Sequence, residues 1–150
     1  MAATFVASSG GSLPQGALCV GFELTPHEGT TGSLYVARVN HEGNVTPGKF
    51  HATLGAAYIP HRGQEHCYKD NYEVLTGSGL VWVEAKDGEL PEGAFLAGRE
   101  ANGDPLYVAK AVFNGADAVG KLNPKFAFAH IPYYGKEHEA RNYAVLVQKD

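Results

Sequence analysis

Two cysteines, Cys19 and Cys67, are too few to hold a 150-residue chain as a disulfide scaffold. They read as two free, partly buried thiols in a reducing compartment. Methionine and tryptophan each occur once, and no segment is apolar for the roughly 20 residues a membrane-spanning helix needs. The first residues, Met-Ala-Ala-Thr-Phe-Val-Ala-Ser-Ser-Gly, carry no basic group and no long apolar stretch, so no secretory signal is read there. A cytoplasmic address is the expectation, with release by an unconventional route as the alternative. Basic runs are also missing. Lys+Arg 12 against Asp+Glu 16 gives a net charge of −4, and no clustered positive charge is available to neutralise phosphates. Nucleic acid is therefore excluded as the main partner, and membrane insertion is not expected.

What the chain does have is glycine and tyrosine, 19 and 8 residues, within an ordinary hydrophobic content of 44%. Many turns and aromatic-bearing strands follow from that composition. Leu34-Tyr35-Val36-Ala37-Arg38-Val39, Leu106 to Val112, Val81-Trp82-Val83, Ala17 to Phe22 and Glu73-Val74-Leu75 are short runs of β-formers. Gly, Pro, Asn or Asp interrupts each run before a helix could form. His41-Glu42-Gly43-Asn44 and Phe113-Asn114-Gly115-Ala116 read as hairpin turns with Gly at positive φ.

The sequence is also duplicated. Residues 5–75 can be laid over 82–146. Gly11-Ser12-Leu13-Pro14-Gln15-Gly16-Ala17 matches Gly88-Glu89-Leu90-Pro91-Glu92-Gly93-Ala94, and Leu34-Tyr35-Val36-Ala37-Arg38 matches Leu106-Tyr107-Val108-Ala109-Lys110. Gly48-Lys49 matches Gly120-Lys121. Ile59-Pro60, Gly63 and Glu65-His66 match Ile131-Pro132, Gly135 and Glu137-His138. Tyr72, Val74 and Leu75 match Tyr143, Val145 and Leu146. An insertion around residues 25–31 and one extra residue near Asn71 complete the alignment. The prediction is a single all-β domain over 1–150, an antiparallel β-sandwich of two tandem repeats about a pseudo-twofold axis. One copy alone would barely bury a core, so the repeats are expected to intertwine.

Taken in order and twice, these motifs resemble the DM-nine repeat family over nearly the whole chain. That family includes mannose-specific invertebrate lectins, proteins linked to microbial recognition in innate immunity, and the N-terminal part of natterin-like toxins. The resemblance implies a β-rich homodimer whose sugar site uses an acidic residue and a lysine. Matched position by position, these are Glu23 with Lys49 and Glu100 with Lys121. Three departures stand out: Glu23 is longer than the aspartate of the lectins, Val119 replaces Pro47 before the second Gly-Lys, and the insertion after Glu23 lies beside the first site.

The chemistry suits that assignment. A carboxylate can accept from two neighbouring sugar hydroxyls while an ammonium donates to a hydroxyl or ring oxygen. Pro47-Gly48 reads as a tight turn that fixes Lys49 at its exit. The plain alternative is a solvated surface ion pair of little consequence. Tyr133 and Tyr134, in a Pro-Tyr-Tyr-Gly loop, and Arg62 in the matching loop are candidate secondary sugar contacts. Tyr35, Tyr107, Phe5 and Trp82 read as core. The Glu65-His66 and Glu137-His138 pairs read as locks of the loops after each Ile-Pro, since their spacing fits no helical metal motif. No metal, cofactor or catalytic residue is expected, and the sequence reads as a non-enzymatic lectin for mannose-type carbohydrate or microbial surface glycans. The alternatives are a metal-dependent enzyme or metalloprotein built on the Glu-His motifs, and a cytosolic interaction or stress protein without a sugar ligand.

Overall fold

The computed structural model describes residues 2–25, 30–113 and 115–149, with backbone only at 23–25 and 30–31. These residues form fourteen strands and no helix. Repeat one supplies β1 (Thr4–Ser8), β2 (Cys19–Thr25), β3 (Thr30–His41), β4 (Asn44–His51), β5 (Ala56–His61), β6 (Gln64–Tyr68) and β7 (Tyr72–Thr76). Repeat two supplies β8 (Leu80–Lys86), β9 (Leu96–Arg99), β10 (Pro105–Phe113), β11 (Ala116–Leu122), β12 (Ala129–Tyr133), β13 (Lys136–Ala140) and β14 (Asn142–Gln148). All pairings are antiparallel; the main path runs β1-β7-β3-β4-β5-β6-β13-β12-β11-β10-β14-β8, and off it β2 pairs β3 while β9 pairs β10 and, across the repeats, β4. Read outward from the β6–β13 junction, the two halves are the same series of equivalent strands. The duplicated sequence therefore becomes a pseudo-twofold fold.

The repeats share a core. Val20, Leu34, Val36 and Leu75 of the first pack with Ala97, Val108, Val119 and Leu146 of the second, while a separate apolar cluster lies within each repeat. Phe5 and Trp82, at matched positions, both pack on the shared cluster. The basic residue ending each Leu-Tyr-Val-Ala motif ties the halves together. Arg38 lies over Phe5 and donates to the Ala97 carbonyl, and Lys110 lies over Trp82 and donates to the Val20 carbonyl. Tyr35 and Tyr107 are half-buried against the clusters of their own repeats.

Two expectations change. Cys19 and Cys67 are free, but both are exposed rather than partly buried, because each points away from the cores of its sheet. Pro47-Gly48 is not a turn, for both residues lie inside β4. Gly48 is glycine because its neighbour strand comes too close: a Cβ there would sit 2.2 Å from the Tyr58 carbonyl oxygen. Gly120 repeats this, with the His130 carbonyl oxygen at 2.3 Å. The hairpin at Glu42-Gly43 has φ of 53° and 85°, the two left-handed residues of a type I′ turn, and Gly115 has φ of 80°. Asn114 lies outside the described residues.

Candidate functional site

Because Gly48 and Gly120 let strands close up, the lysines that follow them project into the interior from the middle of β4 and β11. Lys49 is 1% exposed and Lys121 6%, so neither is a surface ion pair. A buried ammonium persists only if its charge is compensated. The two lysines meet that requirement differently.

Lys49 Nζ donates to the carbonyl of Pro132, in the other repeat, at 2.7 Å and lies 3.2 Å from Glu65 Oε2. The Tyr133 ring centroid is 5.5 Å away. Glu23 pairs in register with Gly32 on β3, and its side chain lies outside the described residues. Lys121 is held more loosely. Its nearest carboxylate oxygen among the described residues is Glu100 Oε1 at 3.8 Å, and its ammonium makes no hydrogen bond to them. It opens onto a cleft of about 190 Å³ lined by His61, Arg62, Glu100, Lys121, Phe126, His130 and Glu137. The structure thus brings Glu100, Lys121 and Arg62 to one place. Arg62 arrives from the opposite repeat, so the cleft spans both copies.

A second cleft of about 290 Å³ adjoins through Glu100 and Phe126. In it, Asn123 donates to Glu100 Oε2 at 3.4 Å and to Asp104 Oδ2 at 3.2 Å. The hydrogen bond from Lys125, with one from Asn123, holds the Asp104 carboxyl below its ordinary pKa.

The tyrosines separate. Tyr134 is exposed with φ of 56°, whereas Tyr133 is 4% exposed and stacked on Phe113, which removes its face from any ligand. The Glu-His pairs clasp the two hairpin tips. Gly135 N–H donates to Glu65 Oε1 at 3.0 Å and Gly63 N–H donates to Glu137 Oε1 at 2.9 Å, each across the pseudo-twofold. His66 and His138 donate through Nε2 to the carbonyls of His61 and Tyr133 in their own hairpins. His66 and His138 do not meet. His66 packs beside His41 and His61, and His138 beside Phe113 and Tyr133.

A family model for the DM9 repeat matches residues 27–140. The chain belongs to the DM9 repeat family. The crystal structure of the nematode sperm cell motility protein MFP2B is similar over 99% of this chain and 45% of that one, with a TM-score of 0.68 at 19% identity. This chain therefore spans under half the length of that neighbour, and the likeness concerns the fold. Comparison with curated proteins finds no match.

Sequence reasoning missed several residues of this DM9 cleft. His61, Phe126 and His130 match Tyr133, Leu54 and Tyr58 in the other copy. Their divergence between repeats was the available signal. Burial holds both His130 and His41 below the ordinary imidazole pKa of 6.5; at His41 the neighbouring His66 and His61 add to the effect. The unfolded chain then binds protons first on acidification, so stability is full above about pH 6.5 and falls as the pH drops below it. Melting temperature is expected to decrease between pH 7 and pH 5, with a shallower decrease in His41→Phe.

Proposed function

We propose that this DM9 protein is a lectin, binding mannose or a related hexose of microbial or glycoprotein glycans without catalysis. One observation carries the reading: Lys121, buried at the wall of a monosaccharide-sized cleft, has its nearest carboxylate at 3.8 Å and its donors unused by the described residues. An ammonium beside the Glu100 carboxylate offers donor and acceptor to neighbouring hydroxyls, and Phe126 supplies an apolar plane for a ring face. The clasping role of the Glu-His pairs supports the non-catalytic part, because their polar atoms hold loop backbone. A shallow site of this type holds one sugar at roughly millimolar affinity. Repetition of sites, within the chain or through a homodimer, would raise avidity on a glycan-coated surface.

Glu100→Gln and Lys121→Met each remove one charge-assisted hydrogen bond, and each is expected to weaken binding about 10–100-fold. A glycan array with monosaccharide competition is the check. A silent array, or variants that bind like the wild type, would overturn the reading.

A further inference from the structure

The first repeat contains a constellation that the second lacks. His41 ends β3 and His61 ends β5, and their Nε2 atoms are buried without a hydrogen-bond partner. The turn residue Glu42 places one carboxylate oxygen 3.6 Å from His41 Nε2 and the other 3.5 Å from His61 Nε2. Ligand atoms of the three residues lie within 4.8 Å of one another. In repeat two the positions of His41 and His61 hold Phe113 and Tyr133, whose rings stack with centroids 5.4 Å apart. A pair of stacked aromatic rings is thus sufficient for this corner of the fold. Two imidazoles with orphaned nitrogens serve it less well, unless they bind something.

Glu42 points the same way. Its φ of 53° is a left-handed conformation that asparagine tolerates and glutamate resists. The matching position in the sequence is Asn114. Repeat one has therefore accepted strain to put a carboxylate between two histidines.

We propose that His41, His61 and Glu42 bind a divalent transition metal of the zinc type. Two imidazole nitrogens and one carboxylate are a common donor set for zinc, leaving a fourth position for water or substrate. Tetrahedral zinc with bonds of about 2.0–2.1 Å sets its ligand atoms roughly 3.4 Å apart, so three ligand atoms now within 4.8 Å of one another need only side-chain adjustment to close on one ion. His41 is already oriented, because its Nδ1 is 2.5 Å from the Tyr68 hydroxyl. With metal on Nε2, Nδ1–H would donate to that hydroxyl, the outer contact that fixes a metal-bound histidine. The site lies at the rim of the Lys121 cleft through His61, yet the metal reading does not depend on sugar binding.

The test is isothermal titration of the chelator-treated full chain with Zn²⁺, alongside Co²⁺ absorption as a reporter of four-coordinate geometry. The expectation is about one equivalent bound in the low-micromolar range or tighter, with a rise in melting temperature of roughly 5–10 °C at a hundredfold excess over Kd. His41→Phe and His61→Tyr copy repeat two, preserve packing, and should abolish that equivalent. Glu42→Asn should weaken binding at least about tenfold while raising the melting temperature of the metal-free chain by a degree or two, because the turn strain is relieved. Failure of the wild type to bind Zn²⁺, or an unchanged isotherm in the His41→Phe/His61→Tyr double variant, would overturn the proposal. Equal Zn²⁺ affinity in Glu42→Asn would do the same.

Discussion

Lys49→Met is expected to lower the melting temperature by roughly 10 °C, far more than a surface lysine could. The side chain is 1% exposed, and its removal leaves the Glu65 carboxylate and the Pro132 carbonyl facing a hydrophobic thioether. Breaking a buried pair by deleting one partner costs about 3–5 kcal/mol, because the surviving charge stays desolvated. For a chain of this size each kcal/mol corresponds to about 2–4 °C. The origin of the loss can be checked with Lys49→Met/Glu65→Gln. Glutamine keeps an acceptor for the Gly135 N–H and carries no charge, so the double variant should regain about half of the lost stability. Equal melting temperatures for the single and double variants would mean that charge burial is not the cause. Lys121→Met should cost less, about 1–2 kcal/mol, since Glu100 is 3.8 Å away in an open cleft with Asn123 as a further partner.

The contrast between these lysines marks what the sequence could and could not reveal. The duplication was legible, and with it the runs that form β2, β3, β7, β8 and β10, because hydrophobic periodicity and turn residues act locally; β4 was read as a turn at Pro47-Gly48. The Arg38 and Lys110 endings of the repeated motif were visible as a pattern, but their bonds to Ala97 and Val20 join opposite repeats. No spacing along one copy encodes that. The same holds for the Lys49 contacts, Glu65 from the next hairpin and Pro132 from the other repeat. The Glu100–Lys121 neighbourhood was reached through family resemblance, since an acid and a base far apart in sequence carry no mutual signal. His41 and His61 converge only because β3 and β5 end at the same edge of the sheet. Comparing them with Phe113 and Tyr133 would have flagged the exchange, though not the buried nitrogens that give it meaning.

The misreading of Pro47-Gly48 gives the second large prediction. Glycine serves two physical purposes here, and substitution can tell them apart. At Gly43 the requirement is a left-handed φ of 85°, with the Ala101 Cβ 3.6 Å from an added methyl. Asparagine tolerates that conformation, so Gly43→Asn should cost under about 1 kcal/mol. At Gly48 the φ is unremarkable and the obstacle is contact. An added Cβ meets the Tyr58 carbonyl oxygen at 2.2 Å, Ile59 Cγ2 at 3.0 Å and Ile59 Cα at 3.1 Å. Two of the three are backbone atoms of the paired strand β5, so no rotamer change relieves the clash. β4 and β5 must move apart at a point buried on both sides. Such overpacking costs about 3 kcal/mol or more, so Gly48→Ala should melt at least about 6 °C below the wild type. Gly120→Ala faces the same clash against His130 and Pro132. There the displaced strands carry Lys121 and His130, so sugar binding should fall together with stability. In Gly48→Ala the displaced strand β5 reaches the cleft only at its last residue, His61, so the proposed sugar binding should fall less than in Gly120→Ala. Thermal melts of Gly43→Asn and Gly48→Ala in one buffer decide the matter: equal losses would show that interstrand contact does not set the second glycine.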